Sequence, residues 1–264
     1  MASDSVFEFL KSSFFNTSTQ LTVNNNTATG VNLLNPDTRI QYYSEGLNDD
    51  NTTCSFTIAF SSTLSVSRIA IREMNWKKFN IYYNGSTANA LSLTSTGSTI
   101  SSQFITNSET SMFLRSTAVN CTSLTFDIYS TQVTNDEKAI GSIYLTEEHF
   151  TAPRRAAAGD YTPRIDPEQV VHQMSDGGIR IHTVKDKQSA SLKYSNITTA
   201  FRNDLRDLYE LRTSFIFCPM GTTTAWDGII FEALWPGSFE FFKFSDNAAV
   251  SGHSGSINLK EVST

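Results

Sequence analysis

The sequence predicts an all-β protein of two domains, and three observations carry that reading. Apolar and polar residues alternate strictly in "CSFTIAF", where Cys54, Phe56, Ile58 and Phe60 point one way and Ser55, Thr57 and Ala59 the other, the period of a half-buried strand. Charged residues make up only 17% of the chain, while Ser, Thr and Asn crowd the positions that a strand turns to solvent. Apolar periodicity then fails in "TAPRRAAAGDYTPRIDPEQ", which holds Pro153, Pro163 and Pro167 beside an alanine run, so the boundary falls there. The expected division is a β-sandwich over 1–150, a linker over 151–168 and a second β domain over 169–264.

In the first domain "VSRIAIREMNWKKFNIYYNG" supplies two more alternating runs. Ile69 and Ile71 alternate with Arg68, Ala70 and Arg72, and Phe79, Ile81 and Tyr83 alternate with Asn80 and Tyr82, with 73–78 turning between them. Shorter strands are expected at Leu91–Leu93, Met112–Leu114, Leu124–Ile128 and Ile140–Leu145, separated by Gly, Asn and Ser clusters. Seven or so short strands without a long helix imply a sandwich.

In the second domain Ile179 to Val184 and Ala190 to Tyr194 read as a hairpin around the polar "KDKQ". Phe201, Leu205, Leu208 and Leu211 recur at helical spacing, and Thr198 or Thr199 stands where an N-cap belongs, so a helix is expected over about 198–213. "SFIFCPM", "GIIFEALW", "FEFFKF" and "SINLKEV" complete the order β-β-α-β-β-β-β, a barrel or sandwich closed by one helix.

Charge and motifs remove several function classes. The formal net charge is −6, with 8 basic and 13 acidic side chains in 1–150 and 12 and 13 in 151–264, and no basic cluster suits nucleic acid. No phosphate-loop or dinucleotide pattern occurs. "GHSGS" at Gly252 to Ser256 has serine where a nucleophile elbow needs its last glycine, and reads as a turn. His149, His172, His182 and His253 form no ligand pair, and adjacent carboxylates on a strand point to opposite faces. No enzyme activity and no cofactor are expected. The opening residues lack a basic n-region and an apolar stretch, so the chain is expected to be made in a cytoplasm, with Cys54, Cys121 and Cys218 as buried thiols; a Cys54–Cys121 pair stays open.

Two local readings concern sites. Asp49 and Asp50, joined by Asp37 in "LNPDTR", could serve a hard cation or simply cap an Asx-rich turn. Trp76, in a loop among polar neighbours, could stack on a sugar ring or anchor a protein, or could fold back over the sandwich edge. A sugar site would draw on Tyr42, Tyr43, Asn75 and Trp76.

Taken as a unit, "LLNPDTRIQYYSEGLNDDNTTCSFTIAF", "VSRIAIREMNWKKFNIYYNG" and "AIGSIYL" resemble the discoidin, or galactose-binding-like, jelly roll, with Asp37, Tyr43, Ser44 and Gly46 in the matching places. Tyr43 stands where that family often has tryptophan, and Ser142 where it has a glutamate that tends to help a structural calcium. The second half, with "YTPRIDP", a Gly-Gly turn in "SDGGIRIHTV", the helix after "LKYSNIT" and a terminal "GSINLKEV", is similar to the β-barrel tail modules of long-tailed bacteriophages. That resemblance implies a minor tail, distal tail or baseplate structural protein of the virion, its second domain joining a homo-oligomeric ring with other tail proteins and its first domain decorating it. The alternative is a carbohydrate-binding protein that recognises host surface glycan.

Overall fold

The computed structural model describes residues 7–35, 40–46, 49–95, 98–100, 103–153, 160–174, 177–219, 230–243 and 251–262. The strands run β1 (Glu8–Leu10), β2 (Leu21–Val23), β3 (Tyr42–Tyr43), β4 (Cys54–Arg72), β5 (Trp76–Tyr83), β6 (Leu93–Ser95), β7 (Ser98–Ile100), β8 (Gln103–Phe104), β9 (Met112–Thr131), β10 (Ala139–Ile140), β11 (Ser142–Thr146) and β12 (Glu148–Thr151). After them come β13 (Tyr161–Gln173), β14 (Ile179–Thr198), β15 (Phe215–Cys218), β16 (Phe231–Leu234), β17 (Phe241–Lys243) and β18 (Ser251–Glu261). Two short α-helices, α1 (Thr27–Gly30) and α2 (Thr199–Glu210), complete the elements, so the protein is all-β in class.

The chain divides into two compact units, but not where composition alone places the break. Ser13–Glu148 forms one unit, and the described residues before Ser13 join the described residues from His149 onward in the other. The expectation of a first domain over 1–150 is therefore corrected at its start: β1 pairs antiparallel with β15, Phe9 opposite Phe217, and with β12. Phe7 and Phe9 are buried among Phe150, Phe217 and Tyr161, so apolar burial draws the N-terminal strand into the second core. The sandwich is thus an insertion between the neighbouring strands β1 and β12. The linker is also shorter than expected, since 161–168 lies within β13; residues 154–159 lie outside the described part.

In the inserted unit one ladder organises everything. β4 and β9 pair antiparallel from Cys54↔Ile128 to Ile71↔Met112, with register shifts between Ala59 and Leu64 and between Val66 and Arg68. The runs 54–60 and 69–72 are therefore one strand, as are 112–114 and 124–128. The first half of β4 takes β2 as its other neighbour and the second half takes β11; β9 takes β6 and then β5. Both halves bury their inward side chains in one cluster that includes Phe56, Ile58, Ile69, Leu114 and Phe126, while Ser61, Ser62 and Thr63 between them are exposed. The bulges let the ladder fold over, and a sandwich results. Cys54 and Cys121 are buried in it outside any disulfide, and Cys218 is buried in the other unit.

In the second unit the helix and the four strands after it are as expected, whereas the two strands expected before the helix are the single β14. The unit's sheet runs β12-β1-β15-β16-β18-β14-β13, with β17 also on β18. The Thr198 hydroxyl caps α2 by accepting from the Phe201 amide at 3.2 Å, and Phe201, Leu205 and Leu208 bury the helix stripe against this sheet. "KDKQ" is not a turn. β14 runs through it, and the chain reverses between Met174 and Gly178 with Gly177 at φ +81, so the partner strand is β13. "GHSGS" is not a turn either: it lies in β18, where a Cβ on Gly255 would stand 2.3 Å from the Glu240 carbonyl oxygen and 2.7 Å from the Phe241 ring. Glycine is there so that β17 can approach.

Candidate functional site

The residues nominated for a sugar site come together at one end of the sandwich, but the structure uses most of them to build it. Trp76 opens β5 and is only 1% exposed, its ring 5.5 Å from Phe79 and 5.9 Å from Phe56. The loop is therefore 73–75, and the tryptophan is core, not a stacking platform, because strand alternation resumes at Trp76 and carries it inward. Tyr42 is also buried; its hydroxyl donates to the Asn25 carbonyl at 2.9 Å and lies 3.4 Å from the Cys54 sulfur. Burial, then Cys54, pushes that phenol well above the usual tyrosine range. Asn75 donates from Nδ2 to the Glu137 carbonyl at 2.7 Å and accepts from the Ala139 amide at 2.9 Å, which ties two loops together. Only Tyr43, 42% exposed, offers a ring.

Two of the three carboxylates nominated for a cation, Asp49 and Asp50, hold a turn. The Asp49 carboxylate accepts from the Asn51 amide and from Asn51 Nδ2, both at 2.8 Å, and Asp50 accepts from the Thr131 amide at 3.2 Å. Asp37 lies outside the described residues. Beneath them Lys138 is fully buried, donating from Nζ to the Asp49 carbonyl at 2.9 Å. Burial holds its ammonium below the usual lysine value, and Asp50, Cys54 and Asp49 partly offset this. The positive charge that the loop needs comes from within the chain. Among the described residues no group of three or more His, Cys, Asp and Glu could hold a metal ion.

A different set of side chains converges on the outer face of the same sheet. Strand alternation sends Phe79, Ile81, Phe126 and Ile128 inward, so Lys78, Asn80 and Tyr82 of β5 and Thr125, Asp127 and Tyr129 of β9 share the outer face. Register sets Gln103, Asn80, Asp127 and Ser55 in one row across four strands. Ser55 donates to Asp127 at 2.6 Å, Thr57 and Thr125 share a 2.9 Å hydrogen bond, and the Lys78 ammonium stands 5.3 Å from the Tyr129 ring centre. Both tyrosines are half-buried. Burial raises each phenol, with the Asp127 charge adding to it at both; the Asp127 hydrogen bond also raises Tyr82, whereas Thr125 lowers Tyr82 and Gln103 lowers Tyr129.

Asn80 sits in the middle of this face. It is 8% exposed, and its Oδ1 is buried with no hydrogen-bond partner. A buried carbonyl oxygen without a donor is costly, so the face holds an acceptor still to be satisfied. Two rings, a carboxylate, two amides and an ammonium in one patch suit a ligand that carries both C–H faces and hydroxyl groups. Sequence reading missed it because outward Tyr and Asn on a strand look like ordinary solvent-facing positions; the signal was the spacing of Tyr82 and Tyr129 about a polar row, visible only once β5 and β9 are paired.

No family model matches the chain, and no curated protein does. Among solved structures it is similar to chitosan-binding module 1 of a chitosanase/glucanase from Paenibacillus sp. IK-5, at 10% identity and TM-score 0.36, over 47% of this chain and 92% of that one. A pectin-binding carbohydrate-binding module matches at 15% identity and TM-score 0.34, over 47% and 87%. The CBM32-1 and CBM32-2 domains of ZmpB from Clostridium perfringens, in complex with GalNAc, match at 13% and 0.38, over 53% and 36%. Likeness at this distance assigns no function, and none of these three is a tail protein.

Proposed function

We propose that this protein acts by recognition and not by catalysis, and that the inserted sandwich binds carbohydrate on the face between Tyr82 and Tyr129. The observation that carries the reading is the buried, unpartnered Asn80 Oδ1 at the centre of a patch flanked by two aromatic rings. A sugar hydroxyl would donate to that oxygen, Asp127 and Gln103 would take others, and the rings would cover the C–H face of the pyranose. The polar row is already held in place by Ser55 and by strand register, so little ordering is lost on binding.

A glycan array followed by calorimetric titration of the intact protein tests it. Tyr82→Ala should weaken binding by about ten-fold or more, since a lost stack of about 1.4 kcal/mol is a factor of ten. Asn80→Ala should weaken it with folding unchanged. Absence of any glycan binding, or full affinity in both variants, would sink the reading.

A second reading is a structural subunit of a bacteriophage tail, in which the second unit assembles and the sandwich decorates. One observation favours assembly of some kind: the long exposed ladder of β13 and β14.

A further inference from the structure

Resting on the sugar-binding reading of the Tyr82–Tyr129 face, we propose that its ligand is an amino sugar whose ammonium sits between Asn80 Oδ1 and the Asp127 carboxylate. Register places Asn80 directly opposite Asp127, so the two side chains are neighbours across β5 and β9 on the outer face. Asn80 is 8% exposed and its Oδ1 has no partner, while Asp127 is half-buried. Two oxygens that only accept therefore stand side by side, shielded from water.

The donors near this pair are largely committed. Ser55 Oγ donates to Asp127 at 2.6 Å, a further hydrogen bond joins Tyr82 to the same carboxylate, and the Lys78 ammonium stands 5.3 Å from the Tyr129 ring centre. An ionised carboxylate offers about four lone-pair sites, so two hydroxyls leave about half of it open. Among the described residues no lysine or arginine forms an ion pair with Asp127. The face thus presents a surplus of acceptors around one half-buried negative charge.

That surplus selects the ligand. A neutral hydroxyl brings one donor and two lone pairs, and the lone pairs would face oxygens that have no proton to give. An ammonium brings three donors and no lone pair, so one group satisfies Asn80 Oδ1 and Asp127 together. Its hydrogen bonds are charge-assisted, roughly twice as strong as neutral ones, and partial burial weakens the screening between the charges. Aromatic faces attract the same group: Tyr129 already holds Lys78, and the Asp127 charge reaches both phenols, adding to burial in raising them. Among molecules that carry an ammonium, an amino sugar also has a C–H face for the Tyr82 ring to cover and hydroxyls for the rest of the polar row.

Calorimetric titration of the full chain with a glucosamine oligosaccharide and its fully N-acetylated counterpart tests this, because acetylation removes the charge and leaves the ring and hydroxyls. The deacetylated oligomer should bind at least about ten-fold more tightly. Asp127→Asn keeps the shape of the side chain and should shrink that preference to about three-fold or less, with an unchanged circular dichroism spectrum. Lys78→Gln removes a neighbouring cation and should tighten binding of the deacetylated oligomer alone. Equal binding of the two oligomers, or a preference that survives Asp127→Asn, would overturn the ammonium contact and leave sugar recognition by this face standing. Oligolysine binding as tightly as the glucosamine oligomer would overturn the sugar class. Binding confined to neutral glycans, and lost in Tyr82→Ala, would likewise sink the amino sugar alone, whereas no glycan bound at all would remove the underlying reading with it.

Discussion

The protein contains two long antiparallel ladders that begin alike and end differently. β4 with β9 and β13 with β14 each run for many residue pairs, and each carries a register shift. The first folds over at its bulges and closes both halves on one core. The second passes its bulge at Glu168 and Gln169 and, among the described residues, continues without a third strand. The difference lies in the sequence on either side of the shift. In β4, alternation resumes beyond it with Val66, Ile69 and Ile71, so the second half has an inward face to bury. In β13, proline and charge precede the shift, and adjacent Val170 and Val171 follow it on opposite faces, so no single core can take both.

The strongest way to break this comparison is to ask whether the exposed ladder can support its own unit. A fragment covering 156–264 keeps β13 and β14 whole but loses β1 and β12, and with them Phe7, Phe9, Phe150 and Ala152 of its core. It is expected to be unfolded by circular dichroism, whereas trypsin cutting at Arg154 or Arg155 in the intact protein should leave two pieces that co-elute. A folded, soluble 156–264 fragment would show that the N-terminal strand is dispensable.

Next in size are substitutions in the folded ladder's core. Trp76→Ala and Phe126→Ala should each cost about 3–5 kcal/mol, a large part of a domain's stability, read by urea denaturation. Both rings pack with Phe56, and each is nearly inaccessible. A loss below about 1 kcal/mol would mean that these rings are not packed as the core of the ladder.

These effects bear on what the sequence could reveal. "CSFTIAF" was legible because a half-buried strand prints its period, and the Phe201, Leu205, Leu208 stripe because a capped amphipathic helix does too. After the helix, β15 to β18 stand where the same patterns put them, but the two strands read before it are the single β14. β1 was not legible: three residues have no period, and only its place beside Phe217 shows which core takes Phe9. β13 was hidden because two prolines mark a linker and an edge strand equally. Trp76 was misplaced by three residues of turn length, which decides between tip and core. The Tyr82 and Tyr129 face depends on register between strands about forty-five residues apart in sequence, which no local pattern encodes.

A smaller effect is the pH dependence of the sandwich. Tyr42, Cys54 and Cys121 all hold their protons more tightly when folded, Cys121 up to about 11, with burial as the leading cause. Unfolded, they ionise from their ordinary values of 9.0 and 10.0. The folded state then binds more protons, so this stability is fully present below pH 9 and declines as pH rises beyond it. Lys138 acts in the opposite sense, because its lowered value makes its burial less costly as pH approaches 10.5. Melting temperature measured against pH should fall on the alkaline side, less in Tyr42→Phe and more steeply in Lys138→Met. A flat profile in all three would mean that these groups are solvated.

The smallest expected effect sharpens the comparison most, because it sets one substitution against itself in the two ladders. Ile181→Thr keeps a β-branched residue suited to a strand, and the side chain is already 60% exposed on β14. In a monomeric preparation its unfolding free energy should stay within about 0.5 kcal/mol of wild type. Ile69→Thr makes the same change on the folded ladder, where the side chain is wholly buried among Leu114 and its neighbours, and the hydroxyl must be desolvated without a partner. That should cost about 2 kcal/mol or more. Equal losses would mean that this face of β14 already lies on apolar surface, and the second ladder would then be as closed as the first.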